Sequence, residues 1–187
     1  MAAKKSSMQR FLEEVRNKVP VHWLVWEEIM NKMEDAERMQ VLNRDTMIDS
    51  NLKDLLLLFK FSRDDEEVEE LFHPNRGALS SLTNKARLAY ALDLIDKPTL
   101  IDLRNIHSIR NKFAHSTDMD FDNDEVVKLV RKLSTAEDKE KKKPITMKSS
   151  FELYSTASKA CSKAVLRALV KEIDKVSGKM KKKKKAK

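Results

Sequence analysis

The sequence predicts an all-α protein: a helical bundle with a long C-terminal helix and a disordered basic tail. Three observations predict it. Leu, Met, Ala, Lys and Glu dominate the 187 residues, and all are good helix formers. Only two glycines and four prolines are present, too few to supply the tight turns of a hairpin-built protein. Apolar residues recur at three- and four-residue steps rather than alternating. The length suits one hydrophobic core with extensions.

Residues 7–19 read as a short amphipathic helix, with Phe11, Leu12 and Val15 on one side and Pro20 closing it. Residues 21–34 form a second helical stretch in which Val21, Trp23, Leu24, Val25 and Trp26 crowd together. The two indoles lie within one turn, and core packing is the expected use of them. Residues 1–34 are thus an N-terminal helical extension. From Asp35 to Phe61 the apolar positions Met39, Leu42, Met47, Ile48, Leu52, Leu55, Leu56 and Phe59 predict one long helix. Asp64 resembles an N-cap, with Glu67 completing a capping box. Pro74 and Gly77 interrupt the chain before a helix over Thr83–Ile95, whose Leu88, Ala89, Ala91, Leu92 and Ile95 are expected in the core. Lys85 and Arg87 are expected to be solvated. Pro98 sits where a first-turn proline belongs and opens "PTLIDLRNIHSIRNKFAH". Asp122 or Asn123 can cap a further helix through Leu133. These elements make residues 35–134 the helical domain. Residues 135–149 are highly charged and read as a solvated linker. Residues 150–178 hold a last helix, from about Phe151 to Val176, which Gly178 ends. No repeat at a fixed period is visible.

The net charge of +8 is local. Lys179, Lys181, Lys182, Lys183, Lys184, Lys185 and Lys187 crowd the last nine residues, so the remaining 178 carry only about +1. Such a run repels itself and is expected to be disordered over residues 179–187. It would attract RNA, DNA, anionic lipid or an acidic protein, through phosphate contacts that read no base sequence. The single cysteine, Cys161, rules out an internal disulfide framework and suits a reducing compartment. No apolar run follows the basic start, so no secretory signal is expected. The longest apolar run, Leu55 to Phe59, is far too short to span a bilayer. The expected location is cytoplasmic.

The chemistry concentrates in "IHSIRNKFAHS", residues 106–116. Leu103, Ile106, Ile109 and Phe113 fall on one helix face. Arg104, His107, Asn111 and His115 follow at three- and four-residue steps as a polar stripe, with Arg110 between stripe and apolar face. Arg110 and His115 are about 140° apart around the helix. They do not stack, yet both can reach a groove covering that sector, especially one completed by another subunit. An arginine offers a fixed cationic fork for phosphate oxygens. A histidine can move a proton near neutral pH. Together they could cleave RNA without a metal, the ribose 2′-OH attacking while Arg110 stabilises the phosphorane charge. The structural alternative is as specific: Arg110 and Asn111 brace neighbouring helices, and His115 ends its helix favourably at the negative end of the dipole.

Other chemistry is disfavoured. His22, His73, His107 and His115 show no zinc-protease spacing, and one cysteine builds no thiolate metal site. No serine sits in a glycine elbow. "DMDFDNDE" (118–125) lacks the glycine and bidentate glutamate of a calcium loop and reads as a capped helix start. No glycine-rich phosphate loop exists. No metal and no cofactor are expected.

Two segments in series, "GALSSLTNKARLAYALDLID" (77–96) and "LRNIHSIRNKFAHS" (103–116), followed by "MDFDNDEV", resemble the mannitol operon repressor family of bacteria. The resemblance covers roughly residues 35–133. It implies an all-helical bundle that represses sugar-alcohol uptake genes without a recognisable helix-turn-helix; none is visible here either. A homodimer and a regulatory protein partner are expected, with Arg104, His107 and Asn111 as supporting or partner-surface residues. Asp93 stands where the family usually has glycine, and the position is expected to take a helical backbone. "RNKFAH" also matches the looser Arg-x4-His signature of HEPN domains, which include dimeric ribonucleases. Carried over, that resemblance makes Arg110 and His115 the catalytic pair of a metal-independent endoribonuclease. Thr117 stands where antitoxin-modified members carry tyrosine, which disfavours that subtype. A third reading is a nucleic-acid-associated scaffold that touches phosphates through the tail lysines alone.

Overall fold

A computed structural model describes residues 37–58, 65–116, 119–134 and 145–185, the last without side chains beyond Gly178. The described residues form six helices and no strand: α1 (Glu37–Leu57), α2 (Asp65–Leu71), α3 (Leu82–Ala91), α4 (Lys97–His115), α5 (Asp124–Val130) and α6 (Met147–Lys185). The protein is all-α, as its composition and periodicity predict. None of these helices is long and apolar enough to cross a membrane. The expected helices over 7–19 and 21–34, the Asp64 cap and most of the 135–149 linker lie outside the described residues.

Helix α1 is the hub, packing on α3, α4 and α6; α4 in turn touches α3, α5 and α6. Two contacts fix α1 antiparallel to α4. Arg38 Nη1 donates to the Ser116 carbonyl (2.6 Å) at one end, and Asp45 meets His107 two turns further along. At the α5 end of α4, Phe121 stacks between Phe113, Phe151 and Tyr154, with ring centroids 5.0–5.3 Å apart. At the other end, Ala164 shares a small hollow with Asp96 and Thr99. Helix α6 is therefore antiparallel to α4 and parallel to α1. Its Tyr154 hydroxyl, wholly buried, donates to the Val41 carbonyl at 3.5 Å.

The caps explain where the helices begin. Ser81 accepts from the Asn84 N–H to open α3. Asp96 accepts from the Thr99 N–H (2.9 Å) to open α4, with Pro98 in its first turn. Asn123 opens α5 through the Glu125 N–H (2.9 Å); the acidic stretch before it is the capped helix start the sequence suggests. Helix α4 is further tied down where buried Asp102 accepts from both the backbone N–H (2.8 Å) and the hydroxyl (2.5 Å) of Ser134.

Three expectations need correction. Helix α3 ends at Ala91, not Ile95, because Asp93 takes a left-handed φ of 57°. The Asp93 N–H bonds the Tyr90 carbonyl and the Leu94 N–H reaches back to the Ala89 carbonyl. That pair of bonds is a Schellman closure, which needs a left-handed residue at its corner. The position therefore does not have a helical backbone, and glycine there has a physical reason. Second, Gly178 does not end α6: no glycine has positive φ, and the helix continues to Lys185. The backbone of residues 179–185 thus continues α6. Lysine is a good helix former, and positive charge at a helix C-terminus is favoured by the dipole. The same helix begins at Met147, ahead of the expected boundary. Third, α1 buries Val41, Arg44, Asp45, Ile48 and Leu52, while Met39 is exposed and Leu42 and Met47 are only half-buried. The buried face is turned from the one the apolar residues alone suggest.

Gly77 is the one glycine that packing requires. A Cβ there would collide with the Leu71 carbonyl oxygen and lie 2.6 Å from the Glu70 oxygen and the His73 nitrogen. Chemical denaturation should find Asp93→Gly stabilised by about 1 kcal/mol, the cost of a left-handed non-glycine residue. Gly77→Ala should lose about 1–3 kcal/mol by overpacking.

Candidate functional site

Helix α4 presents two polar surfaces rather than one stripe. Its apolar face, Leu100, Leu103, Ile106, Ile109 and Phe113, is buried against the bundle. His107 and Arg110 flank that face and turn toward α1. Arg104 and His115 are exposed, in line with exposed Ile101 and Ser108 at steps of three, four and seven residues.

The inward pair meets a carboxylate that the motif itself does not contain. His107 Nδ1 lies 3.1 and 3.2 Å from the two carboxylate oxygens of Asp45. As an N–H it donates to them, which leaves Nε2 as the ring's other nitrogen. Arg110 Nε stands 3.7 Å from Asp45 Oδ2, and Arg110 Nη1 donates to Asn111 Oδ1 at 3.2 Å. The Asp45 side chain is only 6% exposed, against 33% for Arg110. A carboxylate this deep is tolerable only with cations and donors around it.

One turn along α1 the arrangement repeats. Lys85 of α3 places Nζ 2.7 Å from both oxygens of Asp49. The expectation that Lys85 is solvated is therefore wrong: its side chain is 4% exposed, while Asp49 is 32% exposed. Small Ala86 and Ala89 let α3 approach α1 closely enough to bury the ammonium. Arg87 is exposed, as expected.

The structure thus brings His107 and Arg110 together at Asp45, with Asn111 accepting from Arg110, and leaves Arg104 and His115 exposed. His115 makes no hydrogen bond or ion pair among the described residues. Arg110 faces Asp45 at ion-pair distance, its Nε buried and without a hydrogen bond, while the side chain as a whole is one-third exposed. The tail lysines lie beyond the described side chains. Among the described residues, no cluster of His, Cys, Asp and Glu is arranged to hold a metal ion. Burial pushes the Cys161 thiol well above the usual range, so it is a packing group and not a nucleophile.

Sequence reasoning missed Asp45 and Asp49. The signal was present: two carboxylates four residues apart, on the same face as Val41, Ile48 and Leu52. Charges on an apolar stripe require partners from neighbouring helices. Comparison with protein-family models, with curated proteins and with solved structures finds no match to this chain.

The two sides of the Lys85–Asp49 pair predict unequal losses. Asp49→Ala strands a buried ammonium and should cost about 3 kcal/mol in urea unfolding. Lys85→Met leaves a carboxylate that reaches water and should stay within about 1 kcal/mol of the parent protein. The cap of α4 predicts a pH effect. Hydrogen bonds from Thr99 hold the Asp96 carboxyl below its ordinary value of 3.8. The unfolded chain therefore binds this proton first, so the cap's stabilisation is present above pH 3.8 and is lost as pH falls through the lower folded value. Asp96→Ala should cost about 1 kcal/mol near neutral pH and flatten the acid limb of a thermal-melting profile.

Proposed function

We propose that this chain is a cytoplasmic, dimeric regulator of the mannitol-repressor type that acts by contact with a protein partner. The observation that carries this reading is the use made of Arg110. Its charge is matched to buried Asp45 in a brace between α1 and α4, while His115 stands apart on the outer surface. A catalytic pair for RNA cleavage needs a guanidinium aimed at the phosphate and a histidine aimed at the proton it moves. Here one group is engaged inward and the other outward. The outward row of Ile101, Arg104, Ser108 and His115 combines an exposed apolar side chain with cationic and polar ones, a composition suited to a protein contact. The absence of a recognition helix in the sequence supports regulation through a partner rather than by reading bases.

RNA cleavage in EDTA tests this directly. The wild-type chain, Arg110→Ala and His115→Ala should all leave varied RNAs intact. Cleavage by the wild type that both substitutions abolish, with 2′,3′-cyclic phosphate ends, would replace the regulator by a HEPN-type ribonuclease. The same variants separate brace from surface. Arg110→Ala should lower the melting temperature because Asp45 loses a counter-charge, whereas His115→Ala should leave it unchanged. Arg104→Glu combined with His115→Glu should release a co-purifying partner without altering the circular dichroism.

A further inference from the structure

The second half of α6 has two apolar faces. Val165, Leu169 and Ile173 are buried against the bundle. On another side, Leu166 and Val170 floor an open groove along α6, where Val170 is 44% exposed. The described lining comes wholly from α6, and its rim is Lys163, Arg167, Lys171 and Lys175 with a single carboxylate, Asp174. Lys175 pairs with Glu172. The aliphatic stems of these cations extend the apolar floor while their heads reach water. The matching occupant is an apolar ridge bordered by carboxylates.

The chain contains one. Residues 21–34, VHWLVWEEIMNKME, join Trp23, Leu24, Trp26 and Ile29 to Glu27, Glu28 and Glu34, against one lysine. We propose that residues 21–34 dock in cis on this groove, their indoles over Leu166 and Val170 and Glu27 and Glu28 facing Arg167 and Lys171. The reach suffices. Val41 sits beside Tyr154 and Glu37 four residues before it, so with α1 and α6 parallel Leu166 and Val170 stand about 24 and 30 Å along the axis from Glu37. With residues 21–34 helical, Trp26 and Trp23 lie about 12 and 17 Å beyond Glu34, and the three steps from Glu34 to Glu37 add up to about 11 Å, which brings the two indoles to these side chains. Docking covers apolar surface on both sides and sets opposite charges together at its rim, where they fix orientation more than strength. This inference concerns α6 and stands independently of the regulatory reading of α4.

Trp23 and Trp26 are the chain's only tryptophans, so intrinsic fluorescence of the full chain reports on them alone. Docking predicts blue-shifted emission that moves to the red in Val170→Glu and in the double variant Arg167→Glu, Lys171→Glu, with helicity retained. Adding Glu27→Lys and Glu28→Lys to that double variant should restore the blue emission. Cysteines placed by Leu24→Cys and Leu166→Cys should form, on mild oxidation at low concentration, a disulfide within one chain, visible as a faster-migrating monomer. Emission that ignores these substitutions overturns the proposal, because the indoles are then elsewhere. A disulfide-linked dimer in place of the monomer also overturns it, assigning the groove to a second copy.

Discussion

Two carboxylates of α1 organise this bundle. Asp45 and Asp49 stand one turn apart on a helix face that is otherwise Val41, Ile48 and Leu52, and each requires a cation from a different helix. Asp49 holds α3 through Lys85; Asp45 holds α4 through His107 and Arg110. Hydrophobic burial supplies most of the stability, but it is non-directional and would tolerate several packings of six helices. The ion pairs are directional. Each becomes costly when a partner is withdrawn, and that penalty, rather than their net contribution, selects one arrangement.

The same dependence constrains the chemistry of α4. A side chain that braces two helices is not free to follow a substrate, so the duties of Arg110 and His107 are linked to the integrity of α1. Groups on the outer face, Arg104 and His115, carry no such load. Substitutions on the two sides of one helix should therefore separate stability from recognition.

Much of the architecture was legible in the sequence because its signals are local. Pro98 and Asn123 mark helix starts through their own backbone chemistry, and the Leu103, Ile106, Ile109, Phe113 face follows from period alone. Three features were not legible, each because it depends on another helix or on a closure several residues long. Lys85 looked solvated because the carboxylate that pairs with it, Asp49, is 36 residues away. Asp93 looked helical because aspartate does not advertise a left-handed turn as glycine does. The face of α1 was misjudged because an apolar count places Met39 inside and Asp45 outside, whereas paired charge reverses both. For the candidate site, the three-turn span from Arg104 to His115 was readable, but its division into inward and outward halves required Asp45.

The spacing of the two carboxylates also works as a vernier against sliding. Shift α1 by one turn in one direction and Asp49 takes the place of Asp45, but Lys53 then faces Lys85, cation against buried cation. Shift it the other way and Asp45 meets Lys85, while Val41 arrives opposite His107 and Arg110 and leaves them without an anion. Hydrophobic contacts alone would forgive either slip, since a helix moved by a turn presents a similar apolar face. The alternation Val41, Asp45, Asp49, Lys53 forgives neither.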